Sequence, residues 1–185
     1  MPLNQKIIHQ KARKIKLLLL DVDGILTDGR IYYGEEGREI KCFHVHDGQG
    51  IRWLLKERIL VGFLSGRSSG AVEMRAKELG ISFLFQGVKD KMVVYRKLLQ
   101  KTKLEPDQVS FMGDDFIDLR LLQNVGLSVS VSNGHPLVQK EVDYVTKAAG
   151  GLGAVREVAE LIFKAQGKWE FILSNYGLKN KSGIH

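Results

Sequence analysis

A chain of 185 residues, 44% apolar and 26% charged, has the make-up of an ordinary globular protein large enough for a real core, which sets aside disordered and membrane-spanning classes. Its formal charge of +7 comes from scattered Lys and Arg residues, densest at the N-terminus. No RNP, zinc-finger or helix-turn-helix signature accompanies them, so the reading is a solvated basic surface and a small anionic substrate, with no nucleic-acid partner.

The segment "MPLNQKIIHQKARKIK" is basic, and the leucine run behind it meets Asp21 too early for a signal sequence or a membrane span. One cysteine, Cys42, excludes an intramolecular disulfide and agrees with a reducing, cytoplasmic setting. "LLLL" at Leu17–Leu20 reads as a strand buried on both faces, ended by Asp21 and Asp23. "GRIYYGEEGREIKCFHV" alternates around the Gly34–Gly37 turn as a β-hairpin does, and predicts a flap over about 29–43. A short helix is expected in "DGQGIRWLLKERI", a strand in "LVGFLSG", a helix in "SSGAVEMRAKELG" stopped by Gly80 and a strand in "ISFLF". An amphipathic helix follows in "KDKMVVYRKLLQKT", then a strand in "VSFMGDD", a helix in "FIDLRLLQNVG", a strand in "LSVSV" and a long helix in "GAVREVAELIFKAQG". Alternating strands and helices imply an α/β fold, a doubly wound parallel sheet with helices on both faces, as one domain over 1–185. The tail, about 167–185, carries Trp169, Phe171, Ile172 and Tyr176, too apolar for a solvated tail, before "KNKSGIH", which reads as disordered.

In such sheets ligands bind beyond the carboxyl ends of the strands. Asp21 and Asp23 follow the first strand, Ser65 and Gly66 the second, and Asp114, Asp115 and Asp118 the fourth, while Lys91 opens the helix after the third. Each alone is a weak signal. Acids, a hydroxyl and a cation converging from distant sequence on one crevice are a strong one.

In these residues the chain resembles the haloacid dehalogenase superfamily of phosphatases. "DVDGILTDG" is similar to its first motif, Ser65 to its second, Lys91 to its third and "GDDFID" to its fourth, and the resemblance runs from about Leu17 to Ala165. The hairpin in place of a large cap, with "HDGQGI", "VGLSVSVSNGHPLV", "DYVT" and "GGLGAVREV", resembles a cap-less subgroup acting on sugar-acid phosphates. That resemblance implies a homotetramer with shared active sites and an eight-carbon keto-sugar acid phosphate of lipopolysaccharide precursor synthesis as substrate. A nine-carbon keto-sugar acid 9-phosphate is the close rival, and a non-catalytic basic interaction module the distant one.

The chemistry fits these residues. An anionic nucleophile attacks a phosphate ester only if cations neutralise the phosphoryl oxygens. Mg²⁺ suits Asp21, Asp114 and the backbone carbonyl of Asp23. Lys91 adds positive charge, and Ser65 with backbone N–H groups near Gly66 binds the same oxygens. Asp21 is the expected nucleophile and Asp23 the expected acid and base. Asp115 and Asp118 have two readings, orienting Lys91 or a metal-bound water, or capping a helix, and Thr27 and Asp28 one, shaping the turn.

Arg67 and Arg156 are candidates for the substrate carboxylate, since guanidinium binds carboxylate in two-pronged fashion. His46 is a further substrate-side candidate, at a position usually basic in the subgroup. Cys42, His44 and His46 alternate, so an extended strand would present all three on one face; lacking a fourth ligand they favour hydrogen bonding over zinc. Ser132 and Asn133 stand where small residues are more typical. Residues near Gly167 and Lys168 are expected either to reach a neighbour's active site or to pack on their own subunit.

Overall fold

The computed structural model describes residues 4–178. The chain opens with α1 (Gln5–Arg13), capped by Asn4, whose side-chain oxygen accepts the Lys6 N–H at 3.0 Å. β1 (Leu17–Leu20) follows, then a hairpin of β2 (Tyr32–Tyr33) and β3 (Glu39–Ile40). From there helices and strands alternate: α2 (Val45–Lys56), β4 (Leu60–Leu64), α3 (Gly70–Leu79), β5 (Phe83–Phe85), α4 (Lys91–Thr102), β6 (Val109–Met112), α5 (Leu119–Leu122), β7 (Leu127–Ser130), α6 (Pro136–Lys140), β8 (Tyr144–Val145), α7 (Ala154–Ala165) and α8 (Trp169–Ser174).

Six of the strands make one parallel sheet in the order β5-β4-β1-β6-β7-β8. The four leucines of β1 explain why it lies in the middle. Leu18 and Leu20 point into one apolar layer with α1, α2 and α7, around Ile51, Leu54, Val158 and Ile162. Leu17 and Leu19 point into the opposite layer with α4 and α5, around Tyr95, Leu98, Phe111 and Leu121. Each leucine is fully buried, and burial of such a side chain favours the fold by roughly 1.5–3 kcal/mol. The chain builds outward from β1 through β4 to β5, then returns to place β6 on the other flank. That reversal opens a crevice past the carboxyl ends of β1, β4 and β6. Among the described residues the hairpin follows β1 in place of a large inserted cap, and no helix is long and apolar enough to cross a membrane.

Besides the short helices α6 and α8, which the sequence reading did not place, four features depart from the sequence expectation. A sixth strand, β8, pairs with Val129 and Ser130; two residues are too few to show alternation. α1 buries only Ile8 and Ala12, so its cationic residues hide the apolar stripe. The helix expected in "FIDLRLLQNVG" is a 3-10 turn, Phe116–Asp118, followed by the short α5. Finally, Cys42, His44 and His46 do not share a strand face. β3 ends at Ile40, Cys42 is exposed, His44 caps α2 and His46 lies in its first turn, their imidazoles edge to face at 5.0 Å. The helix starts early because Asp47, in its first turn, is held by backbone N–H groups of Gly153 and Arg156 at 3.2 and 2.8 Å.

Candidate active site

Asp21 continues the central ladder one residue beyond β1, its N–H donating to the Met112 carbonyl at 3.0 Å. Its side chain is buried against Lys91, the first residue of α4, whose start is fixed by Asp90 accepting the Met92 N–H at 2.9 Å. The Lys91 Nζ lies 2.9 Å from Asp21 Oδ1 and 2.6 Å from Asp118 Oδ1. Asp118 is fully buried, and its other oxygen accepts the N–H groups of Asp114 at 3.1 Å and Asp115 at 3.4 Å. Both readings of Asp118 therefore hold together: it closes the capping box with Asp115 and it orients Lys91.

Three carboxylates so close repel one another. Burial, then the Asp118 charge, raises the Asp21 pKa against the opposing pull of Lys91. Burial, then Asp118 and Asp115, pushes Asp114 up to about 7. For Lys91, burial alone would lower the pKa, but Asp21 and Asp118 outweigh it and the ammonium is held more firmly than usual.

One oxygen from each of Asp21, Asp114 and Asp118 lies within 4.8 Å of the others. Asp114 Oδ1 is buried and has no hydrogen-bond partner among the described residues. Gly24, at φ 95°, leaves room for this carboxylate, since a Cβ there would stand 2.1 Å from Asp114 Oδ2. Hard oxygen donors, short of protons to share and short of positive charge, fit a divalent cation such as Mg²⁺. The expectation gave Asp23 a backbone-carbonyl share in that site, and the carboxylate cluster leaves this share open. The Asp23 carboxylate itself turns to the Lys41 ammonium.

Asp21, Asp23, Ser65, Gly66, Arg67, Asp114 and Asp115 line one crevice of about 270 Å³. Ser65 is held at the end of β4 by its N–H to the Phe85 carbonyl at 2.9 Å, and its hydroxyl accepts the Arg67 N–H at 3.1 Å. Arg67 reaches back to Glu39 at 3.0 Å and stands 3.9 Å from Asp23. Thr27 and Asp28 do shape the turn: the Thr27 hydroxyl accepts the Gly24 and Gly29 N–H groups, and Asp28 accepts from Arg30 and Tyr32. Asn133 accepts the Gly150 N–H at 2.8 Å, fixing the loop that lies on Gly24, while Ser132 is exposed.

Other expected residues are not brought to this crevice within one chain. His46 packs on His44. The Arg156 guanidinium lies 3.7 Å from the centre of the Trp53 ring and pairs with Glu160 at 2.9 Å. Lys168, one residue past Gly167, pairs with Glu57 of its own chain at 3.1 Å, and α8 buries Ile172 and sets Trp169 against Trp53. "KNKSGIH" lies outside the described residues. Lys41 and Glu39 were missed as neighbours of the site, although their spacing of two in the hairpin gave a readable signal, a shared face of an extended segment.

The fold and this constellation define a class. A family model described as haloacid dehalogenase-like hydrolase matches residues 67–157, and the chain belongs to that family. Within it, the chain is 49% identical over 161 residues to the 3-deoxy-D-manno-octulosonate 8-phosphate phosphatase of Escherichia coli (strain B / BL21-DE3), covering 87% of this chain and 86% of the relative. The crystal structure of the phosphatase of that name from Moraxella catarrhalis, in complex with a magnesium ion, a phosphate ion and a KDO molecule, superposes with a TM-score of 0.91 at 43% identity, covering 94% of this chain and 99% of that one. The Yersinia pestis phosphatase superposes at 0.87 with 48% identity and 89% of both chains.

Proposed function

We propose that the chain is a Mg²⁺-dependent phosphatase that hydrolyses 3-deoxy-D-manno-octulosonate 8-phosphate to 3-deoxy-D-manno-octulosonate and phosphate, a step of lipopolysaccharide precursor synthesis. The reaction is the one for which its relatives are named. The observation that carries the reading is a buried carboxylate, Asp21, paired with a lysine at the mouth of the sheet, with a second acid two residues on.

In this mechanism Asp21 attacks the phosphorus, and the ester oxygen leaves in line as it takes a proton from Asp23. The phosphoryl group then rests on the Asp21 carboxylate as an acyl phosphate. Asp23, now anionic, takes a proton from the water that attacks the phosphorus, which returns Asp21 and frees phosphate. Lys91 and the Ser65 hydroxyl, with the backbone N–H at Gly66, hold the phosphoryl oxygens as charge shifts. Mg²⁺, held by Asp21, Asp114 and the Asp23 carbonyl, supplies positive charge at those oxygens. Arg67 is suited to the substrate carboxylate, being half-exposed at the rim. His46 and Arg156 would act on substrate only across a subunit boundary, in a homotetramer with shared sites. A cytoplasmic location accords with the single free cysteine.

Purified protein offered the eight-carbon 8-phosphate and a nine-carbon keto-sugar acid 9-phosphate, with Mg²⁺ and with EDTA, tests this reading. At least tenfold higher kcat/KM on the first is expected. The reverse preference would move the substrate to the nine-carbon acid, and no Mg²⁺-dependent phosphate release from either would return the chain to a basic interaction module.

A further inference from the structure

The flap carries a charged residue that no part of the mechanism above uses. Lys41 follows β3, and its side chain is only 2% exposed, unusual for a lysine one residue from an exposed cysteine. Its ammonium donates to Asp23 Oδ1 and to Glu39 Oε1, the latter at 3.2 Å. Glu39 in turn accepts from Arg67 Nη2 at 3.0 Å, and Arg67 Nε lies 3.9 Å from the second oxygen of Asp23. The four side chains close a ring. One Asp23 oxygen is held from the hairpin and the other faces the guanidinium beyond β4.

A buried ammonium without a partner is costly, so Lys41 has no cheap alternative to this position. Asp23 likewise has few: turned inward it would meet the Asp21, Asp114 and Asp118 carboxylates. Proton transfer to a leaving oxygen demands a donor within about 0.5 Å of its productive place. We propose that Lys41 is a positioning residue for Asp23, so that seating the hairpin against the crevice sets the aim of the proton-transferring carboxylate. The inference rests on the reading of Asp23 given above. Lys41 pairs with neither the nucleophile nor Lys91 and serves the two steps in which Asp23 moves a proton, to the ester oxygen and from the attacking water.

The test compares an alkyl phosphate, whose alkoxide must be protonated to leave, with p-nitrophenyl phosphate, whose phenolate need not be. In Lys41→Met, kcat/KM, which reports only the steps through departure of the ester oxygen, should fall at least tenfold further on the keto-sugar acid phosphate than on the aryl ester, with KM for Mg²⁺ unmoved. Lys41→Arg, which can reach the same carboxylate, should recover much of the difference. Circular dichroism and the melting temperature report whether the variant folds, and Glu39→Gln, which loosens the ring without removing the ammonium, gives a second series if Lys41→Met does not fold. Equal losses on both substrates, in whichever variant folds, would reduce Lys41 to a structural residue and overturn the proposal. Wild-type protein inactive on both esters would instead sink the functional reading.

Discussion

Asp21 and Asp114 stand close in space yet differ in what surrounds them. Lys91 lies at 2.9 Å from Asp21, while Asp114 keeps a buried oxygen with no donor among the described residues. Asp21→Asn keeps the shape and removes the nucleophile, so phosphate release should drop below detection while the melting curve persists; substantial remaining turnover would reassign the nucleophile. Asp114 predicts a pH effect whose sign follows from its raised pKa. Between pH about 4, an ordinary carboxylate value, and about 7, the folded chain binds a proton that the unfolded chain has released. That contribution to stability is complete below the ordinary value and is lost as pH rises through about 7. Metal-free wild type should therefore weaken toward pH 8, where Asp114→Asn should melt about 5 °C higher, an advantage that shrinks toward pH 5. Adding Mg²⁺ at pH 8 should raise the melting temperature of wild type and leave that of Asp114→Asn unmoved. Calorimetry across pH, with and without Mg²⁺, reads all of these.

Between elements, the crevice is shaped by a contact the motifs do not announce. Asp47 of α2 accepts two N–H groups at the start of α7, and the Gly150–Gly151 turn just before that helix lies on the β1 loop, Gly151 donating to the Ile25 carbonyl at 2.9 Å. A Cβ at Gly150 would stand 1.6 Å from the Gly24 carbonyl oxygen, and Gly24 in turn makes room for Asp114. Asp47→Ala would leave the first N–H groups of α7 without an acceptor, at a cost of about 2 kcal/mol. For a chain of this size that is a melting temperature roughly 4–8 °C lower, and Asp47→Asn, which still accepts, should lose less than half as much. The same region shows how far sequence reading reaches. Buried strands ending in Asp, Ser or Gly were legible because runs such as Leu17–Leu20 and Leu60–Leu64 carry both the burial and the stop, and with them came Asp21, Asp23, Ser65 and Asp114. The Asp118–Lys91 pairing was legible as an option, and geometry made it a fact. Asp47's hold on α7, Lys41's turn onto Asp23 and Arg156's stacking on Trp53 were not read because the partners lie 109, 18 and 103 residues away in sequence; the Glu39–Lys41 spacing showed a shared face but not the acid that the face meets.

Over the whole molecule, the basic charge and the apolar flap sort to different places. Arg13, Lys14, Lys16, Arg58 and Lys168 gather at the amino ends of the central strands, opposite the crevice, where α1, α2 and α7 end. Cations there complement the partial negative charge of helix carboxyl ends, and two of them also pair with acids, Lys14 with Asp107 and Lys168 with Glu57. The hairpin is the reverse case. β2 and β3 pair through two residues each, too little to be stable alone, and leave unpaired edges. Its apolar side chains Ile31, Tyr33 and Ile40 are 48%, 68% and 55% exposed, and Val45 beside them 78%. The assembly proposed above would cover this exposed apolar hairpin and its open edges. A homotetramer built from such hairpins should sediment as one species, and Ile31→Asp combined with Ile40→Asp should shift it to monomer while the chain stays folded, since neither side chain belongs to the core. If sites are shared, kcat/KM should fall with assembly. Deletion from Gly167 is a poor probe of sharing, because it strips Trp169 and Ile172 from their own core; a truncation at 178 keeps both side chains in the chain. A wild-type chain that sediments as a fully active monomer would show that the hairpin shields its own crevice unaided, and would leave its exposed isoleucines without an assembly role.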